Sequence, residues 1–501
     1  MLKILRNFIF IISLLNISQT VQAEYNWTSN CKLAYEEAMR LNFSKANQIV
    51  AIEKKQHPTN LIPLYIESQI DFLQSFIFEE RTILDGLKTR NDLRIAFLQK
   101  SKEESPFKRL CIAEMYLQMA IARVKFEEYF GAAYDVRKSF KLLEENQQRY
   151  PDFKPNLRGL GLIHAAVGSI PKNNHWVAGI LGLEGTIKQG LSELKILLNA
   201  TYKDPSLSYL RDETIVIITF LELNLGKEKD NNVTRRRFYP IKDLEKKPLL
   251  LFAKSIFHSS AAENDSVIEL LSRRSHEING NALVYLNYME ANARLYNMDY
   301  SAEKLYLKYI SEYTGKTYVM SAWQRLAWVR LLQGDEVGYK SYMSKIKVSK
   351  KGQDFTDEDK AAIKEAQSGE TPNVILLHAR LLFDGGYYQR ALAMIAGKPV
   401  ASFPRLRDQL ELTYRLARIF DKQNKKEKAI EYYEITLKNG AEQSYYFAAN
   451  SALLIGQIYE DAGNKTKAVE YYNKTLEMRD HEYQNGIDQK AKAGLNRLEN
   501  K

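Results

Sequence analysis

Apolar residues recur three and four positions apart along much of the chain, which is the period of a helix buried on one face. The segment from Leu61 to Phe78 is amphipathic in this way, and Leu110 to Phe130 carries apolar residues at the same spacing. Proline, which interrupts helices, occurs only 12 times in 501 residues, whereas tyrosine occurs 31 times. Few helix breakers and many large amphipathic side chains predict an all-α protein in which helices pack on helices.

A finer pattern appears in the C-terminal half, where small and large apolar residues return at fixed intervals. Its clearest copy runs through Ala452, Ile455, Gly456, Tyr459, Gly463, Ala468, Tyr472 and Thr475. Small residues such as Gly456 and Ala468 allow two antiparallel helices to touch closely, and the larger ones fill the space around them. Further copies of the frame include Leu286, Leu326-Ala327, His378-Ala379 and Leu416-Ala417.

This spacing resembles that of tetratricopeptide repeats. The resemblance implies a tetratricopeptide-type α-solenoid that follows an N-terminal irregular helical-repeat domain at 24–245. It divides residues 246–501 into repeats at about 248–281, 283–316, 320–353, 372–405, 410–443 and 449–482. A polar insertion at 347–371 interrupts the series, and Thr356 within it is placed to cap a short helix.

The segment 159–198 differs from the rest of the chain because it holds seven glycines. One interpretation is structural: short helices pack very closely at Gly179, Gly182 and Gly190, and Thr186 caps the last of these helices. The other interpretation is an exposed apolar hairpin tip that touches a membrane surface or an apolar ligand. The tip would consist of Ile170, Trp176, Ile180 and Leu181.

Part of this segment also resembles the glycine/Ser-x-Pro segment of the eukaryotic inclusion-body-clearance tetratricopeptide family. The matching residues are Gly161, Ser169, Pro171, Leu181, Gly182, Gly185, Gly190 and Leu191. The resemblance implies a shared architecture and contact with lipid or aggregated apolar material, and it implies no catalytic residue. The present chain departs from that family because it begins with a signal-like segment, which conflicts with a cytosolic role.

The first residues have the character of a secretory signal. Lys3 and Arg6 precede an apolar run from Phe8 to Leu15, and small residues at Val21-Gln22-Ala23 suit cleavage. We therefore expect a signal peptide at 1–23, a mature chain starting at Glu24, and a periplasmic or secreted protein; an uncleaved anchor is the alternative. Export argues against nucleic acid as a partner, although the formal net charge is +11.

Residues with chemical potential are few. The seven histidines lack metal-ligand spacing, and His164 is expected to be a satisfied core residue. Because nucleophile-elbow and phosphate-loop motifs are absent from the sequence, we expect no enzyme activity, no cofactor and no metal. Cys31 and Cys111 are compatible with one disulfide or with two buried thiols. The basic triplet Arg235-Arg236-Arg237 is interpreted as a solvated loop or as an anion-docking point.

In stacked helix pairs the first helix of each pair lines a concave groove, and its inward positions follow from the repeat frame. These positions are Asn287, Arg294, Gln324, Trp328, Asn373, Arg380, Tyr414, Arg418, Asn450 and Gln457. Arginine offers a planar fork for carboxylates, and asparagine pairs with an extended peptide backbone. The sequence therefore predicts an exported, non-catalytic scaffold that binds a protein or peptide in this groove, unless these positions are merely solvated.

Overall fold

The computed structural model describes residues 23–170, 179–226, 231–275, 283–348 and 356–499. Its named elements in these ranges are all helices, and the prediction of an all-α fold is confirmed. An isolated parallel bridge joins Glu24 to Asn60. No helix within these ranges is both long and apolar enough to cross a bilayer. The predicted signal peptide lies outside the described residues, apart from Ala23.

Twenty-four α-helices follow one another along the described chain. The first twelve are α1 (Ser29–Met39), α2 (Phe43–Gln56), α3 (Ile62–Phe78), α4 (Arg81–Lys100), α5 (Pro106–Lys125), α6 (Tyr129–Arg149), α7 (Asn156–Gly168), α8 (Ile187–Lys203), α9 (Arg211–Leu225), α10 (Asn231–Arg237), α11 (Pro248–Ser260) and α12 (Asn264–Ser272). The others are α13 (Tyr285–Tyr296), α14 (Ala302–Glu312), α15 (Val319–Leu332), α16 (Glu336–Val348), α17 (Asp357–Ser368), α18 (Val374–Asp384), α19 (Tyr388–Ile395), α20 (Leu406–Lys422), α21 (Lys426–Gly440), α22 (Phe447–Asp461), α23 (Lys465–Glu477) and α24 (Gln484–Glu499).

The described chain divides into two compact units. Unit 1 holds the residues up to Ala261 together with Glu269–Leu286 and Ser311–Lys316. Unit 2 holds Ala262–Ile268, Asn287–Ile310 and the residues from Thr317 onward. Each unit buries its own set of apolar side chains, so each is described by itself.

A buried ion-pair cluster joins five helices of unit 1. Arg158 on α7 is 3% exposed, and its Nη2 lies 3.1 Å from Oε2 of Glu114 on α5. The same guanidinium pairs with Glu213 on α9 and donates to the hydroxyls of Tyr35 on α1 and Tyr65 on α3. Burial opposes its charge, but Glu114 and Glu213 outweigh that effect and raise the pKa of Arg158. One cation therefore holds α1, α3, α5, α7 and α9 together.

The glycine-rich segment brings α7 and α8 very close together. A Cβ on Gly190 would lie 2.2 Å from the carbonyl oxygen of Gly161. The structural interpretation is therefore correct for Gly190, but it fails at Gly179 and Gly182, around which no described atom lies within 4 Å of an added Cβ. Gly182 instead makes a left-handed turn, with φ of +63°. Thr186 caps α8, as predicted, by accepting a hydrogen bond from a backbone amide in its first turn.

Two features of unit 1 settle alternatives that the sequence left open. Cys31 and Cys111 are buried free thiols, and burial raises the pKa of Cys31 to about 11. The basic triplet forms the helix α10 rather than a loop, so the loop expectation is wrong. Arg237 is buried against Glu222, with Nη1 at 2.9 Å from Oε2, and Arg235 lies over the ring of Phe257. The triplet therefore contributes two of its three side chains to packing.

Unit 2 stacks helix pairs in series, and the packing follows the small residues of the repeat frame. Tyr472 on α23 is fully buried between Gly456 on α22 and Gly494 on α24. A Cβ on Gly456 would lie 2.8 Å from the ring of Tyr472, and one on Gly494 would lie 2.4 Å from it. The predicted role of Gly456 at a close helix contact is confirmed.

The polar insertion contributes α17, which packs on α15 in unit 2. Thr356 caps α17, as predicted, by accepting from the amide of Asp359 at 3.1 Å. The buried carboxylate of Asp359 in turn accepts hydrogen bonds from the backbone amides of Tyr318 at 2.7 Å and Ser321 at 2.9 Å. Because these amides begin α15, the inserted helix supplies the N-terminal cap of an earlier helix.

Candidate partner-binding groove

Trp328 on α15 is a predicted groove position, but the structure buries it to 1% exposure, with two guanidinium groups close to its ring. The Cζ of Arg325 lies 4.1 Å from the centroid of the indole ring, and the Cζ of Arg380 on α18 lies 5.1 Å from it. The indole Nε1 donates to Oε1 of Glu365 at 2.9 Å, which fixes the ring plane. A ring held in this way offers a π-face to both cations.

The same kind of contact continues across the next first helices of unit 2. The Cζ of Arg418 on α20 lies 5.0 Å from the ring centroid of Phe383 on α18. Nη1 of Arg418 donates to the hydroxyl of Tyr414 at 2.9 Å, and Nδ2 of Asn450 on α22 donates to that hydroxyl at 2.5 Å. The predicted positions thus form two contact groups, Trp328 with Arg380 and the buried Tyr414 with Arg418 and Asn450.

The remaining predicted positions make other contacts. Gln324 is buried and donates to Glu365 at 2.7 Å, close to Trp328. The side chain of Asn373 is the N-cap of α18. Arg294 is paired with Glu290 and Asp299 of its own helix pair. Asn287 is buried and Gln457 is half-buried.

We name Arg325, Trp328, Arg380, Tyr414, Arg415 and Arg418 the guanidinium–aromatic row. The Cζ of Arg415 lies 5.7 Å from the ring centroid of Tyr414, and its Nη2 lies 3.0 Å from Oε1 of Glu411. Burial acts to raise the pKa of Glu411, but Arg415 and Arg380 outweigh it and hold that pKa below its usual range.

The row carries more positive than negative charge. Three carboxylates contact it: Glu411 pairs with Arg415, Asp384 lies 3.9 Å from Arg380, and Glu365 accepts from Trp328. Arg325 is 8% exposed, its Nη1 donates to the amide oxygen of Gln324, and its buried Nε has no hydrogen-bond partner among the described residues. Arg380 and Arg418 are half-buried rather than buried, so these two arginines of the row are the ones within reach of an anionic group.

The repeat frame missed Arg325 and Arg415, although both belong to the row. Each lies three residues before a predicted position, since Arg325 precedes Trp328 and Arg415 precedes Arg418. Residues three apart share a helix face, so counting one further turn would have included both of them.

The structure places the predicted hairpin residues partly against the core of unit 1. Ile170 and Leu181 are half-buried and pack against the apolar cluster around Leu160. Ile180 is 68% exposed. Trp176 lies outside the described residues, so its place at the hairpin tip stays a prediction.

His164 is a buried residue of unit 1. Its Nδ1 lies 2.6 Å from Oε2 of Glu193, and its buried ring meets Phe140 edge-on at 5.6 Å between centroids. These contacts are those of a satisfied core histidine. In the described ranges, histidine, cysteine and carboxylate side chains form no cluster that could hold a metal ion.

Comparison with protein families identifies the repeats. Models described as tetratricopeptide repeat match residues 412–443 and 449–481, which correspond to the helix pairs α20–α21 and α22–α23. The C-terminal part of this all-helical chain therefore carries two tetratricopeptide repeats. Such repeats generally mediate protein–protein interactions, and this fold is typically a non-enzymatic scaffold.

Comparison with individual proteins is less informative. Among solved structures, a human IFIT1 dimer with m7Gppp-AAAA is similar at 11% identity and a TM-score of 0.32, covering 92% of this chain and 97% of its own. An APC/C hetero-tetramer, Cut9–Hcn1, is similar at 12% identity and a TM-score of 0.21, covering 93% and 95%. At these scores neither neighbour indicates what this chain binds. No curated protein matches the chain.

Proposed function

We propose that this protein is an exported, non-catalytic scaffold whose groove in unit 2 binds an acidic segment of a protein or peptide partner. The observation that carries the proposal is the partial exposure of Arg380 and Arg418 beside the rings of Trp328 and Phe383. An extended acidic chain would supply carboxylates to the arginines and backbone amides to Asn450.

The export part of the proposal is supported by the residue pattern at 1–23, with its basic start, apolar run and small residues before Glu24. It places the protein in the periplasm or outside the cell, where nucleic acid is not the expected partner. If the protein is exported and cleaved, N-terminal sequencing of the chain isolated from the periplasm or the medium should start at Glu24.

The groove is tested by replacing Arg380 and Arg418 with alanine together. The probe is a random octapeptide library, and the wild-type chain is expected to select peptides rich in aspartate and glutamate. For the best selected peptide, we expect the double variant to bind about 100-fold more weakly, because each lost charge-assisted hydrogen bond contributes about tenfold. Fluorescence anisotropy of the labelled peptide measures this change.

A matched control removes the same charge elsewhere. Arg149 and Arg236 are exposed arginines of unit 1, and their double replacement by alanine should leave the affinity within about twofold. Equal binding by the groove variant and the wild type would remove the groove from consideration.

A second function is favoured by one observation, the 68% exposure of Ile180, which follows Trp176 by four residues in the sequence. In this alternative, which also draws on the inclusion-body-clearance resemblance, the glycine-rich hairpin contacts a membrane surface or an apolar ligand. Replacing Trp176 and Ile180 with serine should then abolish sedimentation with phosphatidylglycerol vesicles. Sedimentation that is unchanged by the two substitutions, or absent in the wild type, contradicts the alternative.

A further inference from the structure

A cavity of about 670 Å³ lies in unit 2 between α22 and the first turn of α24. Its lining includes Tyr446, Asn450, His481 and Tyr483, together with Asp357 and Lys490. Cavities of roughly 300 to 1,000 Å³ are typical of ligand sites, so this one has room for a large side chain and the backbone beside it.

His481 lines this cavity and carries a hydrogen-bonding atom that no described residue uses. The residue is 8% exposed, and its Nδ1 lies 2.9 Å from the carbonyl oxygen of Glu482. A carbonyl oxygen only accepts, so Nδ1 carries the proton, and Nε2 of the neutral ring is an acceptor. Nε2 is buried and has no partner among the described residues. A buried polar atom of this kind costs free energy unless a ligand group meets it.

The turn that carries His481 is held in an uncommon backbone conformation. Asp480 and Tyr483 both have φ of +57°, in the left-handed region that a bulky residue such as tyrosine rarely adopts. The turn is anchored on both sides, because the amide of Glu482 donates to the carbonyl of Ser444 at 2.9 Å and its carboxylate pairs with Lys364 at 2.7 Å. Strain of this kind persists where surrounding contacts impose it, often at binding sites.

Asn450 is shared by the cavity and the predicted groove positions. That side chain lines the cavity and donates to the hydroxyl of Tyr414 in the guanidinium–aromatic row. The wall beside it is aromatic, since the rings of Tyr446 and Tyr483 meet edge-on at 5.4 Å between centroids. The charged residues, Asp357 and Lys490, are exposed at the rim rather than buried inside. The interior therefore suits an uncharged, partly apolar group.

We infer that this cavity is a specificity pocket for the partner peptide, taking a side chain whose hydroxyl or N–H donates to Nε2 of His481. The inference rests on the proposed peptide binding and adds a fixed position to it. Serine, threonine, tyrosine, tryptophan, asparagine and glutamine carry such donors. Acidic residues of the same peptide would lie along the arginines, and this residue would enter the pocket.

The test uses the same octapeptide library with the full-length chain and three variants. The wild type should select a donor side chain at one fixed distance from the acidic residues. His481→Phe removes the acceptor and keeps a ring, so it should lose that fixed position and retain the acidic preference. His481→Gln keeps an acceptor at a similar reach and should retain both. Arg380→Ala with Arg418→Ala should lose the acidic preference and retain the donor position.

A selected peptide then gives the size of the effect. Replacing its donor residue by a non-donor of similar shape, such as tyrosine by phenylalanine, should weaken binding to the wild type about tenfold. The same replacement should change binding to His481→Phe by less than twofold.

The outcomes separate this inference from the function on which it rests. Acidic peptides selected without a fixed donor position, or a donor effect that persists in His481→Phe, would overturn the pocket and leave the groove standing. Failure of the wild type to select any peptide would overturn both, and so would binding of soluble glycans at this cavity in place of peptides.

Discussion

Replacing Arg158 with methionine is expected to destabilise unit 1 by about 3–5 kcal/mol, because it leaves two carboxylates in the interior without their cation. Methionine keeps much of the volume, so the loss reports charge rather than a cavity. Glu114 is 5% exposed and pairs with Arg158. No other cation among the described residues pairs with this carboxylate, so none would replace Arg158. Urea unfolding of the full chain, followed by circular dichroism, measures the shift of the first transition.

The same variant should be most defective at high pH. Burial, opposed by Arg158 and reinforced by Glu213, raises the pKa of Glu114 in the wild type. A carboxyl group whose folded-state pKa is raised takes up a proton on folding, so its contribution to stability is present at low pH and is lost as pH rises. Removing Arg158 raises that pKa further. The difference from wild type should therefore shrink between pH 8 and pH 5.

The control is Arg149→Met, which removes an exposed arginine whose side chain is 60% accessible on α6. We expect it to shift the transition by less than about 0.5 kcal/mol at either pH. A small, pH-independent effect of Arg158→Met, equal to that of the control, would contradict the structural role given to the cluster.

Replacing Gly190 with alanine is expected to cost about 3 kcal/mol or more, although alanine is the better helix former. Its Cβ would lie 2.2 Å from a backbone carbonyl oxygen of Gly161 and 2.6 Å from the amide nitrogen of Ala165. Backbone atoms cannot rotate aside, so α7 and α8 must separate. Calorimetry of the full chain should show a lower first transition temperature.

Gly86→Ala is the matched control, since Gly86 lies within α4 and an added Cβ there meets only the flexible end of Arg90, at 2.9 Å. Its effect should be neutral or stabilising by up to about 1 kcal/mol. If Gly190→Ala were equally harmless, the close approach of α7 and α8 would not be needed for stability.

The sequence predicted best those features that depend on neighbours in the chain. Gly456 and Tyr472 belong to one helix pair, so their spacing alone indicated that they meet. Thr356 and Thr186 cap helices that begin at the next residue, which is also local information. The groove positions counted from the repeat frame remain a prediction, since Trp328 and Tyr414 are buried and Arg380 and Arg418 are half-buried.

Features that depend on distant segments could not be predicted. Nothing near Arg158 in the sequence indicates Glu114 or Tyr35, since the five helices come together only in the folded unit. The unused Nε2 of His481 depends on a backbone turn that no local propensity favours, given φ of +57° at Tyr483. The triplet at Arg235 was misread because its partners, Glu222 and Phe257, lie on other helices.

The cap that Asp359 places on α15 has a consequence for the order of events in synthesis. Asp359 lies 41 residues after Tyr318, whose backbone amide donates a hydrogen bond to the Asp359 carboxylate. A growing polypeptide therefore exposes the start of α15 before the group that completes it has been translated. Trp328 and Gln324 likewise donate hydrogen bonds to Glu365, which is translated after both of them. The region around Trp328 should consequently take its final form only after the inserted segment has left the ribosome, however early its own residues emerge.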